Sequence, residues 1–344
     1  MKSGKINLKK WTTKFKLIKK QNKKVTFKNK KFFNLFIKCF IIFNFIIFSV
    51  LIIRNNNYRN TFLEDIYKKD GNTNKIQLDD NICLTIKNEL KKRIQPFDYE
   101  KEFIFFSSLI SCKIPFSFVR FADGEELIMK GDVIDQKLDN WYWEPKNKKF
   151  RDSLIESSNL CTNPNNFIGI PCKNWIKISK SILSFSKCSS SKYMSYSTLF
   201  VNKNYIQFKE WILSFIKDSN RWKIILIANS IINKNISWAY KFFPIPNHIV
   251  ENWEEFSIIL LPKLSEEAKH NNLIFFVSAG PAANVIILHL TRINDKNIYI
   301  DFGSSIEFIT KGYTTRPYSN NNSKDGTRRC EPFILKDKTL IYKG

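Results

Sequence analysis

Phe116-Ser117-Phe118-Val119-Arg120-Phe121-Ala122-Asp123-Gly124-Glu125-Glu126 is the stretch whose reading decides the fold. Aromatic and β-branched residues dominate Phe116–Phe121, which reads as a buried strand. Ala-Asp-Gly then makes a tight turn, and the sequence from Glu125 to Lys130 reads as a helix. A strand that passes directly into a helix is half of a β-α-β unit.

The same alternation extends outward in both directions. Short apolar runs that read as strands are Phe167–Ile170, Tyr193–Tyr196, Ile224–Ala228, Ser257–Leu261, Leu273–Val277 and Ile298–Phe302. Helix-like stretches separate them: Glu100–Ser111 ahead of the first strand, then Lys148–Asn159, Trp175–Phe185, Tyr205–Lys217, Ser230–Phe242, Lys263–His270 and Ala282–Ile293. Alternation of this kind predicts an α/β fold, a Rossmann-like, mostly parallel sheet with helices on both faces. Ligands in such sheets bind at the carboxyl ends of the strands. The loops that follow the strands are therefore the places to look for chemistry.

Four of these loops carry suitable residues. In the first, Arg120 ends a strand while Asp123 and Glu125 stand at a helix start. Two hard-oxygen carboxylates can share a divalent cation such as Mn²⁺ or Mg²⁺, or one can act as a general base. Arg120 can clamp a phosphate or orient the acids. The local alternative is a cap, with Asp123 and Glu125 serving the helix N-terminus and Gly124 the turn. In the second, Ser278-Ala279-Gly280-Pro281 runs a strand into a helix start that offers backbone N–H groups to an anion. In the third, Asp301 ends a strand before Phe302-Gly303-Ser304-Ser305, an acid and hydroxyls suited to a ribose or sugar. In the fourth, Pro244-Ile245-Pro246-Asn247-His248 presents His248 as a candidate base; a lone loop histidine is otherwise solvated. His289 falls in an apolar helical run and reads as core.

Length and charge set the context. The chain has 344 residues and a net charge of +25. Fourteen lysines precede residue 39 and no acid precedes Glu64, so the rest of the chain carries +11. Phe32–Ile53 follows the first thirteen of these lysines and contains the last, Lys38; its 22 residues are mostly apolar. As a helix it would be about 33 Å long, enough for a hydrocarbon core of about 30 Å. It is expected to be one transmembrane helix ahead of the folded domain. No small-residue cleavage site follows Ile53, which disfavours a removable signal peptide. Lysines on its N-terminal side predict a cytosolic tail and a single-pass type II protein, with its C-terminal domain lumenal or extracytoplasmic. The expected organisation is a basic tail (1–31), a signal anchor (32–53), a polar stalk (54–81) and an α/β domain (82–344). The tail suits anionic lipid headgroups. No nucleic-acid partner is expected, since topology accounts for the basic charge and no zinc-finger, helix-turn-helix or RNA-recognition pattern is present.

Six cysteines follow the apolar segment, at 83, 112, 161, 172, 188 and 330. They are widely spaced, and one or two disulfides are as consistent with them as free buried thiols. Two sequons, Asn235-Ile236-Ser237 and Asn321-Asn322-Ser323, matter only in a glycosylating compartment.

Taken in order, the loop motifs resemble those of the bacterial glycosyltransferases of the GT-D fold, first catalogued as a domain of unknown function. Arg120-Phe121-Ala122-Asp123-Gly124-Glu125 matches that family's R-F-x-D-G-E motif, with Ala122 where glycine is usual. Ile168-Gly169-Ile170-Pro171, the strand and turn Ile224–Ser230, Ala279–Ala283 and Ile300–Ser304 match later segments, and Pro244–Trp253 is a partial match. The resemblance spans roughly Pro96–Tyr318. It implies transfer of a hexose, with glucose and therefore UDP-glucose expected, from a nucleotide sugar to a glycan or glycoprotein acceptor. It implies that Asp123 and Glu125 bind metal or donor or act in catalysis; His248, read from its loop alone, stands beside them as a further catalytic candidate. It also implies a donor site built from Arg120, Gly124, Asn229, Ser278, Gly280, Asp301, Gly303 and Ser304. Two alternatives stand beside it: a non-catalytic, membrane-anchored binding or structural protein on the same fold, and a nucleotide-sugar or phosphate-ester hydrolase.

Overall fold

The computed structural model describes residues 80–136, 141–218, 221–231, 236–314, 316–320 and 322–331. The basic tail, the expected anchor at 32–53 and all of the stalk but its last two residues lie outside the described residues. Among the described residues no helix is long and apolar enough to cross a membrane.

The centre is a seven-stranded sheet in which every neighbouring pair is parallel. Its strands are β1 (Phe116–Arg120), β4 (Asn166–Ile170), β5 (Met194–Tyr196), β6 (Lys223–Asn229), β7 (Lys241–Ile245), β8 (Leu273–Ser278) and β9 (Ile298–Asp301), in the order β5-β4-β1-β9-β8-β6-β7. A small antiparallel pair, β2 (Ile134–Gln136) and β3 (Trp141–Trp143), lies outside it. The helices are α1 (Asp80–Lys92), α2 (Tyr99–Ser111), α3 (Asp123–Lys130), α4 (Lys148–Ser157), α5 (Ile176–Phe185), α6 (Tyr205–Lys217), α7 (Trp253–Ala268), α8 (Ala282–Ile293) and the single turn α9 (Glu307–Thr310).

The period-two alternation of side chains along each strand divides the core into two layers. On one face Phe116, Phe118 and Phe167 meet Phe106 of α2, and Phe276 meets Phe215 of α6. On the other face Val119, Ile168, Ile225, Phe275 and Val277 join one aliphatic cluster with Ile128 of α3, Leu154 of α4, Leu264 of α7 and Ile286 of α8. Both faces are thus covered, which is why the strands read as continuous apolar runs rather than alternating ones.

The chain leaves β1 and β9 towards opposite faces. After β1 it enters α3, whose Ile128 and Met129 belong to the aliphatic layer. After β9 it enters α9, whose Phe308 touches Tyr205 and Phe208 of α6 in the aromatic layer. The adjacent pair β1 and β9 is therefore a topological switch point, where a crevice opens beyond the strand ends.

Two expectations are corrected. Ser257–Leu261 is not a strand but the middle of α7. Its apolar run is interrupted by exposed Ile258 and Ile259, while Trp253, Leu260, Leu264 and Ala268 are buried along one helical side. Of the helix expected over Ser230–Phe242, residues 232–235 lie outside the described residues; among the described ones 236–240 turn, and Lys241–Ile245 is the edge strand β7. Pro244 has no N–H to donate and is exposed on that edge, a place where a sheet tolerates proline.

Candidate functional site

The site begins with the backbone of one residue, Arg120. Asn284, fully buried in the first turn of α8, donates from Nδ2 to the Arg120 carbonyl at 2.7 Å and accepts the Arg120 N–H at 3.3 Å. This fixes the end of β1 against α8. The Arg120 side chain then reaches across the switch point: Nε and Nη2 donate to the two oxygens of Asp301 at 3.1 and 3.3 Å, and Nη1 donates to the Ser197 carbonyl at 3.2 Å. Burial works against the charged guanidinium, but Asp301, helped by Tyr318 and Glu125, holds its pKa up. Asp301 also accepts the Gly303 N–H at 2.8 Å. Gly303 has φ +50°, and a Cβ there would lie 1.9 Å from Arg120 Nη2. Only glycine leaves room for the arginine.

Glu125 stands in the first turn of α3. Its Oε2 accepts the Ala122 N–H at 2.8 Å, half of a capping arrangement. Burial pushes its carboxyl up to about 7, against the pull of the Ala122 N–H; Asp301 adds to the rise and Arg120 opposes it. A carboxyl that titrates near neutrality can take or give a proton at working pH. Asp123, two residues earlier, is exposed, and its Oδ1 accepts the Gly124 N–H at 3.1 Å.

These groups line a cleft of about 550 Å³ across the carboxyl ends of the strands, within the range of small-molecule sites. Arg120, Asp123, Gly124, Glu125, Asn229, Ser278, Gly280, Asp301, Gly303 and Ser304 all line it. The Ser278 hydroxyl donates to the Gly303 carbonyl at 2.7 Å, and Asn229 bonds to Asn247. Pro281 at the start of α8 brings no side-chain cap to the helix N–H groups, and Gly280, at φ +54°, has open space where a Cβ would be. His248 is not brought to the cleft. It is exposed, and its Nδ1 lies 3.3 Å from Glu251 Oε2, while its neighbour Asn247 takes the place in the lining. His289 sits in α8, with Nε2 2.8 Å from the Ser265 hydroxyl.

Two solved structures are similar to this chain. Both are of domain of unknown function 1792. One, a selenomethionine form, is 16% identical with a TM-score of 0.43 over 70% of this chain and 94% of its own. The other, described as having a distinct glycosyltransferase fold, is 17% identical with a TM-score of 0.42 over 72% and 94%. That description corresponds to the family the motifs resemble, but a likeness so loose carries none of the functional argument, which rests on the cleft. No family model matches the chain, and no curated protein matches it.

Among the described residues no three His, Cys, Asp or Glu side chains group where they can hold a metal by themselves, whereas Mg²⁺ bound with a nucleotide takes one or two carboxylates together with the substrate's phosphates; of the cleft acids, Asp123 is exposed. Asp301 is committed to Arg120, and Glu125 is held to its own helix cap with a carboxyl near neutrality.

Several cleft residues were not singled out from the sequence: Ser197, Thr198 and Asn202 after β5, and Lys311, Arg316 and Tyr318 after α9. Asn284 was also missed. Its signal is visible in Ala282-Ala283-Asn284-Val285-Ile286-Ile287, one amide in an otherwise apolar helix start.

Proposed function

We propose that this protein is a glycosyltransferase that moves a hexose from a nucleotide-sugar donor to a glycan or glycoprotein acceptor. The observation that carries the reading is Glu125, a carboxyl near pKa 7 on the wall of a strand-end cleft, beside the Arg120–Asp301 pair. In the reaction an acceptor hydroxyl gives its proton to Glu125 as its oxygen bonds to the anomeric carbon. The bond from that carbon to the diphosphate breaks, and the nucleoside diphosphate leaves with the electron pair. The Ser278, Asp301 and Ser304 region suits donor hydroxyls, and the uncapped N–H groups of α8 suit the departing anion.

The same reading includes the membrane anchor at 32–53 with the domain on the lumenal or extracytoplasmic side. Six cysteines in three bonded pairs support an oxidising compartment. Protease treatment of sealed membranes tests this: the domain should stay shielded while the lysine tail is digested, and the reverse pattern refutes the orientation.

Activity is tested with the full chain, a panel of nucleotide sugars and glycan acceptors, and product detection by mass. A sugar-sized gain on an acceptor, lost in Glu125→Gln, supports the reading. Donor cleavage that never reaches an acceptor assigns the cleft to a hydrolase instead. Failure to bind any nucleotide sugar sinks both.

A further inference from the structure

The cleft is divided along the strand order β5-β4-β1-β9-β8-β6-β7. Among the described residues that line it, every ionisable side chain belongs to β1 or β9 or to the chain that follows them, from Arg120 to Glu125 and from Asp301 to Tyr318. The lining after β6 and β7 is uncharged. It consists of Ala228, Ile231, Ile245, Pro246, Ile249 and Val250, with the amides of Asn229 and Asn247 among them. Ile245, Ile249 and Val250 are buried members of the aliphatic core, so this end of the cleft has a packed floor. Its backbone is pinned as well. The Ser230 N–H donates to the Ile245 carbonyl at 2.8 Å, and Asn147 Nδ2 donates to the Val250 carbonyl at 2.9 Å. Ile231 lines the same end and is exposed, which leaves apolar surface there for a ligand to cover.

The two amides have one consistent orientation. The Ile231 N–H can only donate, and it meets Asn229 Oδ1 at 2.8 Å. Asn229 therefore turns its Nδ2 towards Asn247, whose Oδ1 accepts it. Among the described residues nothing accepts from Asn247 Nδ2, so this cleft residue keeps a donor to offer.

A nucleotide sugar is divided in the same way, since its diphosphate carries the charge and its base is a flat, uncharged ring with a polar edge. On the transferase reading, on which this step rests, the diphosphate lies at the start of α8, directly after β8. The sugar then lies on the β9 and β1 side, near Glu125. In the other direction β7 stands two strand spacings from β8, about 10 Å, which gives room for a ribose and a base. We infer that the uncharged end of the cleft holds the nucleobase, and that Asn247 Nδ2 selects a base with a keto oxygen on the edge away from the ribose. Uracil and guanine carry an oxygen there. Cytosine and adenine carry an amino group, which donates as Nδ2 does. Two facing donors leave both hydrogen bonds unmade, and a site built to bond one partner rejects the other for that reason.

The test is titration of the full-length protein in detergent micelles with UDP, CDP, GDP and ADP. All four carry the same diphosphate, so whatever the lysine tail binds cancels in their ratios. UDP is expected to bind roughly tenfold more tightly than CDP, which differs from it only on that edge, and GDP more tightly than ADP. Whichever of UDP and GDP binds better names the base. Asn247→Ala should bring the UDP-to-CDP ratio to about one. Asn247→Asp keeps an acceptor for Asn229 but faces the base with oxygens, and should favour CDP. Asn247 is exposed, so both variants should melt as wild type does. Equal binding of UDP and CDP by the wild type, or an unchanged ratio in both variants, overturns the inference. Transfer assays keep the two readings apart. A keto preference that depends on Asn247, in a protein that transfers no sugar, upholds the base site and removes the transferase. Sugar transfer that uses uridine and cytidine donors equally does the opposite, and failure of all four nucleotides to bind removes both.

Discussion

Glu125 couples the site to the stability of the domain. Its carboxyl is raised from 4.5 to about 7 by burial, so the folded state keeps a proton that the unfolded chain releases. Between those two values the unfolded state binds fewer protons, and stability falls as pH rises, levelling off above about 7. Glu125→Gln should unfold at a higher temperature than wild type at pH 8 and at nearly the same temperature at pH 4; equal melting at both values refutes the burial of this group. The same substitution should lower kcat by roughly 10²–10⁴ and remove the limb of the pH–rate profile that rises through about 7. Gly303 gives a second residue-scale outcome. An alanine there meets both a positive φ and Arg120 Nη2, whereas an alanine at Gly280 meets the backbone cost alone, about 1–2 kcal/mol. Gly303→Ala should therefore lose more stability than Gly280→Ala in denaturant titrations, and the reverse order would show that Arg120 moves aside freely.

At the scale of elements, α7 carries a built-in weakness. Pro262 lies inside it and is exposed, so it removes one i→i−4 hydrogen bond without packing to offset the loss. Pro262→Ala should stabilise the domain, by up to about 3 kcal/mol, read from the denaturant midpoint; a loss would show that the kink itself is needed. The same helix shows where sequence reading fails. Phe256 to Leu261 is an apolar run of strand length, and inside a two-faced core such a run has the composition of a buried strand. Proline just after it reads as a stop. Conversely, Phe242-Phe243-Pro244 reads as non-strand because of its proline, although an edge strand accepts one. The strands that flank the cleft were legible because both of their faces are buried and most of their residues are apolar, with the polar ones largely at their ends. The short pair β2 and β3 has only three residues on each side and carries no comparable run.

At the scale of the molecule, the strand-end loops were legible as candidates because the parallel order brings them to one edge of the sheet. The chain that follows α9 was not. Thr314-Thr315-Arg316-Pro317-Tyr318 and the Asn- and Ser-rich residues after it look like any other polar stretch in a chain full of Asn and Lys. The disulfide, a contact between positions 158 residues apart, and hydrogen bonds such as that from Asn202 Nδ2 to the Asp325 carbonyl tie that stretch to the cleft, and spacing alone does not reveal such pairing. Loop-closure entropy makes this bond the most stabilising of the three, roughly 5 kcal/mol against about 3.6 kcal/mol for Cys83–Cys112, whose separation is 29. Paired Ser substitutions should follow that order in unfolding free energy. Equal losses would mean that loop length does not set what these bonds contribute.

The place of β9 has a bearing on how the protein is made. It lies between β1 and β8, yet its residues follow those of every other strand. Until position 298 has left the ribosome, the nascent chain can form only two half-sheets, β5-β4-β1 and β8-β6-β7, and the open edges of β1 and β8 face each other across a gap. Such edges invite pairing with other chains. Insertion of β9 closes both edges in one event and brings Asp301 to Arg120 in the same step, so this pair in the cleft forms only once the sheet is whole.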